Sequence, residues 1–493
     1  MIYKLITLNL TIIFTPLLTL AITLVFTSCN SSNKNNSFVL GDYELNAKVD
    51  DDVRIFFSGS KESKKQAYLN ISKNGLQIIT QKDGQTTVLK ETEYQIKYPS
   101  TIRILKNGNF FRFWVGEKTE WIRGPLGEWE GVYEPLKSEI YIEDSKSEFK
   151  YDFSIKKRDW LKQADSTVIK YGQEGSFYEQ QVIPGAILKY ENKYYMYFMA
   201  GMKGNEEGSS RRSIGLAISN NLKDWTVKPE PVVNYDDYPY DNIYINGVAL
   251  TPDNKIALMF SAQTFPEWKG FMLAIADHPE GNFKPSKNNP VYKHYSHAHE
   301  FDLIDLNDKL ISYKGASYRY LFFYAGYTFA DETSSGGDRG FLLYSNNLID
   351  WVSRDDNPVF GPETKDNWDA KHVRPRSLTK IGEYWYLWYE GCNVWNPPNS
   401  KGDKWTDVIG LARSKDLLDW EYHPRNPVLS GVGQDENLVG YKWVGWPRMV
   451  IKDGTGYVFH CGSQGEKVST TYRSIDLENL VDWTSDINET IAK

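Results

Sequence analysis

IGLARSKDLLDWEYHPRNPVL, residues 409–429, decides the fold because it is one of five copies. The others are IGLAISNNLKDWTVKPEPVV (214–233), FMLAIADHPEGNFKPSKNNPVY (271–292), FLLYSNNLIDWVSRDDNPVF (341–360) and a shorter TTYRSIDLENLVDW (470–483). Their turn aromatics, Trp225, Phe283, Trp351, Trp420 and Trp483, fall 58, 68, 69 and 63 residues apart. Ahead of each copy stands a pair of segments rich in β-branched and aromatic residues, at 182–201, 244–263, 305–326, 372–391 and 445–462. Such segments read as strands. Each repeat therefore supplies roughly four strands, the content of one propeller blade, and five repeats predict a five-bladed β-propeller. A stacked solenoid would need much shorter repeats.

Working outward, residues 38–155 are short alternating strands punctuated by Asn74-Gly75, Asp83-Gly84 and Asn107-Gly108, with no segment of helical period. That texture predicts a two-sheet β-sandwich. The fold class is therefore all-β: an N-terminal β-sandwich (jelly roll) followed by a propeller over 156–493. At the N-terminus, Lys4 precedes an apolar run, 5–27, that ends at Cys29 and is followed by NSSNKNNS. This resembles a bacterial lipoprotein signal over 1–29, which implies cleavage before Cys29, lipidation of its thiol and a flexible tether at 30–37. An uncleaved anchor is the alternative. Either one puts the folded part in the bacterial cell envelope, with the membrane met only through the N-terminus.

Hydrophobic residues make up 41% of the chain and aromatics 15%, with 33 Tyr and 16 Trp. Such rings suit strands, and they also suit surfaces that stack on sugars. A net charge of −7 without a basic block excludes nucleic acid as a partner. Only Cys392 and Cys461 follow Cys29, too few for a disulfide framework. A monomer is expected.

The turn and Asn-Pro-Val repeats, with their strand pairs, resemble the five-bladed propeller glycoside hydrolases, the superfamily of families 43 and 32. The resemblance covers roughly residues 165–484. The N-terminal segment order resembles concanavalin-like (laminin-G-like) jelly rolls, with Trp114, Trp121 and Trp129 as either a sugar platform or contacts with the second domain. The resemblance implies a funnel-shaped site where the first strand of each blade starts and the second ends. Two departures stand out. Ile183 occupies the position of the family 43 general base, and Asn246 that of the usual second-blade Asp, so neither standard triad carries over.

Comparing blades locates the candidates. The second strands end in Ala200, Ala262, Ala325, Glu390 and Cys461. A carboxylate where packing favours a small residue needs a reason, because an unpaired buried charge is costly. Glu390 is either a catalytic acid or sugar ligand, or one half of an ion pair with Arg374 or Arg448. The first strands start at Ile183, Ile245, Asn307, Arg374 and Trp446. Arg374 offers a fork of donors, and Trp446 a stacking floor. Approach residues are Asp369 and His372 in the fourth blade, Glu179 and Gln181 in the first, and Asp241 in the second. The third blade offers His297, His299, Glu300 and Asp302, in HAHEFD. The spacing of HAHEFD is not specific for a metal. No cofactor is required, although the channel leaves room for a structural cation.

Glycosidic cleavage needs two carboxyl groups across the bond. Glu390 or Glu300 is the expected acid, Asp369 or Asp241 the base, and Glu179 the reserve. Arg374, His372, Trp446, Arg448, Gln181 and Asp302 are the expected substrate-binding residues. The leading expectation is a hydrolase of poly- or oligosaccharides outside the cytoplasm. The missing Asp residues favour instead a non-catalytic glycan-binding lipoprotein. A phosphorylase, with phosphate on Arg374, Arg448 and His372, ranks last because phosphorolysis there would waste the sugar phosphate.

Overall fold

The repeated sequence is a repeated set of hydrogen bonds. Ser219, Ser345 and Ser414 end their strands, and each hydroxyl accepts the N–H of the turn leucine, Leu222, Leu348 or Leu417, at 2.9, 3.0 and 2.9 Å. These leucines are buried and left-handed, with φ of 69°, 65° and 68°. Asn221, Asn347 and Asp416 cap the same turn from the preceding position, accepting the N–H of Asp224, Asp350 and Asp419. Such side chains replace the backbone partners that a left-handed turn residue cannot supply. The asparagine of Asn-Pro is the second device. Asn289, Asn357 and Asn426 each accept the N–H and donate to the carbonyl of one third-strand residue, Leu273, Leu342 and Leu411 respectively.

The structure is a computed structural model. It describes residues 37–40, 42–107, 110–123, 137–144, 152–157, 161–163, 167–202, 212–238, 240, 242–264, 267–295, 298–329, 336–363, 367–392, 408–430, 444–464 and 467–483. Strand is their predominant regular structure, with one α-helix, Leu477–Val481, and one 3-10 turn, Tyr235–Asp237, among the described residues. None of the described helices is long and apolar enough to cross a membrane. The expected signal segment, Cys29 and all but the last tether residue lie outside the described residues.

Five antiparallel units follow one another. Their first strands are Gln181–Tyr190, Asn242–Leu250, Ala298–Asp305, His372–Ile381 and Val444–Lys452. These first strands neighbour one another in a closed cycle, first to second and on to fifth and back to first. The units therefore form a ring, with apolar seams such as Tyr197 and Leu216 against Leu258 and Phe260. In four units the short fourth segment bridges back through Val233, Tyr292, Phe360 or Leu429. Among the described residues the fifth unit has no such segment of its own. Lys162–Gln163 pairs with its third strand, Lys467–Asp476, and Ile169 bridges to Thr470. Residues from ahead of the first unit thus complete the last.

The third unit corrects one reading. Its first strand is not drawn from 305–326 but is Ala298–Asp305, the HAHEFD run itself. Residues 306–319 hold an extra hairpin, Ile311–Tyr313 with Ala316–Tyr318. Both stretches are strand, turn and strand, so the period alone points to the nearer pair. Asn307 consequently lies in the turn after the first strand, at φ 50°, and not at a strand start.

Before the ring, two antiparallel sheets of six and five strands share one apolar core, with Leu45, Ile55, Leu69, Ile78, Ile104 and Phe113 fully buried. This region meets the fourth unit directly. Asn107 donates to the Pro427 carbonyl and accepts from the Ser430 hydroxyl. Arg112 Nη1 donates to the Asn426 carbonyl at 3.2 Å. Trp121 stacks on Phe110 at 5.8 Å, and Phe110 packs edge-on to Trp368 at 6.4 Å. Trp114 faces the guanidinium groups of Arg103 and Arg112, and Trp129 lies outside the described residues.

Candidate functional site

Every first strand is irregular near the end where the five converge. In the first unit the register jumps from Pro184 to Ala186, in the second from Ile245 to Gly247, and in the fourth from Pro375 to Ser377. In the third it jumps from Ala298 to Phe301, and in the fifth from Gly445 to Arg448. A bulge leaves its extra residue out of the ladder and re-aims that side chain. The residues so released are Gly185, Asn246, His299 with Glu300, Arg376, and Trp446 with Pro447. Gly185 is required by close packing, since a Cβ there would lie 2.5 Å from the Ile245 carbonyl oxygen.

The other bulges meet at Arg376, which is fully buried. Its Nε donates to Glu390 Oε2 at 2.8 Å, and Nη2 reaches the same oxygen. Nη2 is also 3.5 Å from Glu300 Oε1, and Nη1 is 3.5 Å from Asn246 Oδ1. The guanidinium lies 4.4 Å from the centroid of the Trp446 ring. Trp446 is left-handed at φ 53°, an unusual state for a bulky residue, and its N–H donates to Glu390 Oε1. Side chains from four units thus converge on one cation, and the Trp446 ring remains half-buried.

A second arginine ties the same strands together one layer away. Arg448 donates to Asn246 Oδ1 at 2.7 Å, to the Phe301 carbonyl at 2.9 Å and to the Arg376 carbonyl. It also pairs with Asp302 at 3.3 Å, and Asp302 accepts the Leu378 N–H at 2.7 Å. Burial pushes Arg448 down to about 10, against the pull of Asp302. Burial also pushes the Asp302 carboxyl up, with Arg448 opposing. Beside these, Asp338 Oδ2 takes Arg374 Nε at 2.5 Å and His372 Nδ1 at 2.8 Å. Burial would raise Asp338, but Arg374 and His372 overrule it and hold the carboxyl well below the usual range.

Asp369 sits elsewhere. It accepts from the Tyr389 hydroxyl at 3.0 Å, and Tyr389 points to the opposite face of its strand from Glu390. The room comes from Gly391, where a Cβ would lie 2.7 Å from Asp369 Cβ and 2.6 Å from the Trp368 ring. Asp369 is wholly buried and its Oδ1 has no hydrogen-bond partner among the described residues. Burial pushes its carboxyl up to about 7, with the Tyr389 hydrogen bond opposing.

No protein-family model matches this chain, and neither does any curated protein. Solved structures do. It is similar to a thermostable family-43 glycoside hydrolase, with 17% identity over 61% of this chain and 91% of that one, at a TM-score of 0.46. A putative glycoside hydrolase from Parabacteroides distasonis is 16% identical over 64% and 96%, at 0.46. A protein from a family of mannoside phosphorylases, which contains hydrolases that target β-1,2 mannosidic linkages in Candida mannan, is 15% identical over 63% and 93%, at 0.45.

Of the residues singled out by sequence, the structure brings Glu390, Glu300, Trp446, Arg448 and Asp302 together, with Arg374 and His372 alongside through Asp338. Glu179 caps its own loop, accepting the Gly175 N–H at 2.7 Å, and Gln181 packs at the start of the first unit. Asp241 and His297 lie outside the described residues, as does the side chain of His299. Among the described residues no group of three His, Cys, Asp or Glu is placed to hold a metal. Sequence comparison missed Arg376, Asn246 as a bonding partner, and Asp338. The signal for Arg376 was there: Pro375-Arg376 and Pro447-Arg448 repeat the same pair in two units. Asp338 comes from a third strand, which the blade comparison did not cover.

Proposed function

We propose that the ring is a five-bladed β-propeller preceded by a jelly-roll sandwich, and that the protein is a glycoside hydrolase acting on a poly- or oligosaccharide at the convergence of the bulges. The observation that supports it is the set of irregular first strands. They deliver one carboxylate, Glu300, an arginine and a half-buried tryptophan from three different units to one point, where Glu390 on the fourth unit's second strand adds the other carboxylate. Glu300 is the acid–base residue and Glu390 the second carboxylate, with Arg376 between them and Trp446 as the surface for a sugar ring. In this scheme one carboxyl protonates the leaving glycosidic oxygen, the other assists attack at the anomeric carbon, and water supplies the incoming hydroxyl.

A non-catalytic glycan-binding protein is the second reading. Both oxygens of Glu390 already accept from Arg376 and Trp446, which suits a fixed strut better than a reacting group. Phosphorolysis is disfavoured because each candidate phosphate ligand already has a carboxylate: Arg374 and His372 have Asp338, and Arg448 has Asp302.

The test is turnover by the full chain on a panel of glycans and aryl glycosides, beside Glu300→Gln and Glu390→Gln. Wild-type product with none from Glu300→Gln supports the hydrolase. Saturable binding without product from any form supports the binding protein. Product from both variants moves the chemistry away from this cluster.

A further inference from the structure

Strands bury their aromatic rings, and an exposed group of them asks for an occupant. Tyr295 and Phe329 are each 66% exposed, and their rings lie 6.4 Å apart at 37°. They stand on a built support. The Tyr295 ring packs 4.0 Å from His294, which is buried, bonds Tyr324 Oη at 3.0 Å and packs against Phe341 at 4.8 Å. Burial lowers His294 to about 4, so at neutral pH this support is an uncharged ring. Phe329 packs edge-on to Tyr327 at 5.8 Å, and Lys371 Nζ lies 5.9 Å over Tyr327.

The position of this pair gives it meaning. Tyr327 is registered opposite Asp338, the carboxylate that holds Arg374 and His372, and Lys371 directly precedes His372. The exposed rings therefore continue outward from the central cluster between the third and fourth units. We propose that Tyr295 and Phe329 form an outer sugar-binding platform, taking the apolar faces of pyranose rings in a chain whose other end occupies the cluster at Arg376 and Trp446. This rests on the glycan reading above and makes the substrate an oligosaccharide rather than a monoglycoside. Two rings offer far less than the roughly 800 Å² per partner of a stable protein interface, so a protein is the poorer occupant. An aromatic face beside a donor such as Lys371 suits a sugar, which has an apolar face and a rim of hydroxyls.

The experiment compares the full chain with Tyr295→Ala/Phe329→Ala and with Phe329→Trp. The probes are xylo-, manno- and arabino-oligosaccharides from disaccharide to hexasaccharide, together with the matching aryl monoglycosides. The double alanine variant is expected to bind the longest effective oligosaccharide about tenfold more weakly, near 1.4 kcal/mol, with the shortest ligand unaffected. Phe329→Trp is expected to keep long-chain affinity, and unchanged thermal melting of each variant shows that it is folded. Equal affinity of wild type and double variant for long chains overturns the platform and leaves the glycan reading intact. A wild type that neither binds nor cleaves any probe overturns both.

Discussion

The first and fourth units share strand order, a bulged first strand and the same serine-capped leucine turn, yet they put opposite things at the axis. The first offers Ile183, Gly185 and Met199, and the fourth offers Arg374, Arg376 and Glu390. The scaffold is thus held by devices that lie away from the axis. The bulge is the place where one unit can differ from the next without disturbing its ladder. Chemistry resides in that difference, since fold alone does not choose a function.

The largest effect is expected at Arg376. Arg376→Met leaves Glu390 buried without its cation, and a loss of about 3–5 kcal/mol is expected in urea unfolding. Adding Glu390→Gln should restore part of that loss, since the uncompensated charge is then gone. An additive double variant would mean that the two side chains do not depend on each other.

The next effect depends on pH. Burial raises Asp369 to about 7, against an ordinary value of 3.8 for the unfolded chain. The folded state therefore keeps a proton that the unfolded state gives up. Its contribution is full below about pH 4 and is lost as pH rises through about 7, at up to about 1.4 kcal/mol per pH unit. Asp369→Asn should flatten that part of a stability-against-pH curve. Asp338 has the opposite sign: held low by Arg374 and His372, it contributes above the ordinary carboxylate value and loses this only in acid. Parallel curves for wild type and Asp369→Asn between pH 4 and 7 would contradict the assignment.

Gly185→Ala sharpens the contrast from the other side. If the first unit's glycine were only an empty seat, alanine would be harmless. Its Cβ meets the Ile245 carbonyl oxygen, so a loss of about 1–3 kcal/mol is expected. The smallest effect concerns the clamps. Asn426→Ala and Asn357→Ala should each cost about 1 kcal/mol in thermal unfolding. Asn426 should cost more because it is buried and also donates to Tyr389 Oη at 3.2 Å.

The units were legible because each hydrogen-bonded device leaves a mark in the sequence: Ser before the turn Leu in the first, third and fourth units, and Asn-Pro in the second, third and fourth. Glu390 stood out against the small residues that chain spacing set beside it, but strand pairing puts Met199, not Ala200, and Ser261, not Ala262, in its place. Arg376 was marked only by the repeated Pro-Arg pair, since a bulge adds one residue to a strand and shifts the count of which side chain faces the axis. Strand period also could not tell the inner strand of the third unit from the hairpin inserted after it. Closure of the fifth unit by Lys162–Gln163 and Ile169 was hidden because the partner lies at the far end of the ring's sequence. Asp369 and Glu390 are close in the chain, but the alternation at Tyr389 and Glu390 sends them to opposite sides of the sheet.

The most direct measurement is a crystal structure of the full chain with the oligosaccharide it binds best. A sugar ring is expected against Trp446, with a hydroxyl or glycosidic oxygen in hydrogen-bond reach of Glu300. A sugar held on the N-terminal sheets, with nothing bound at Arg376 and Trp446, would contradict this expectation.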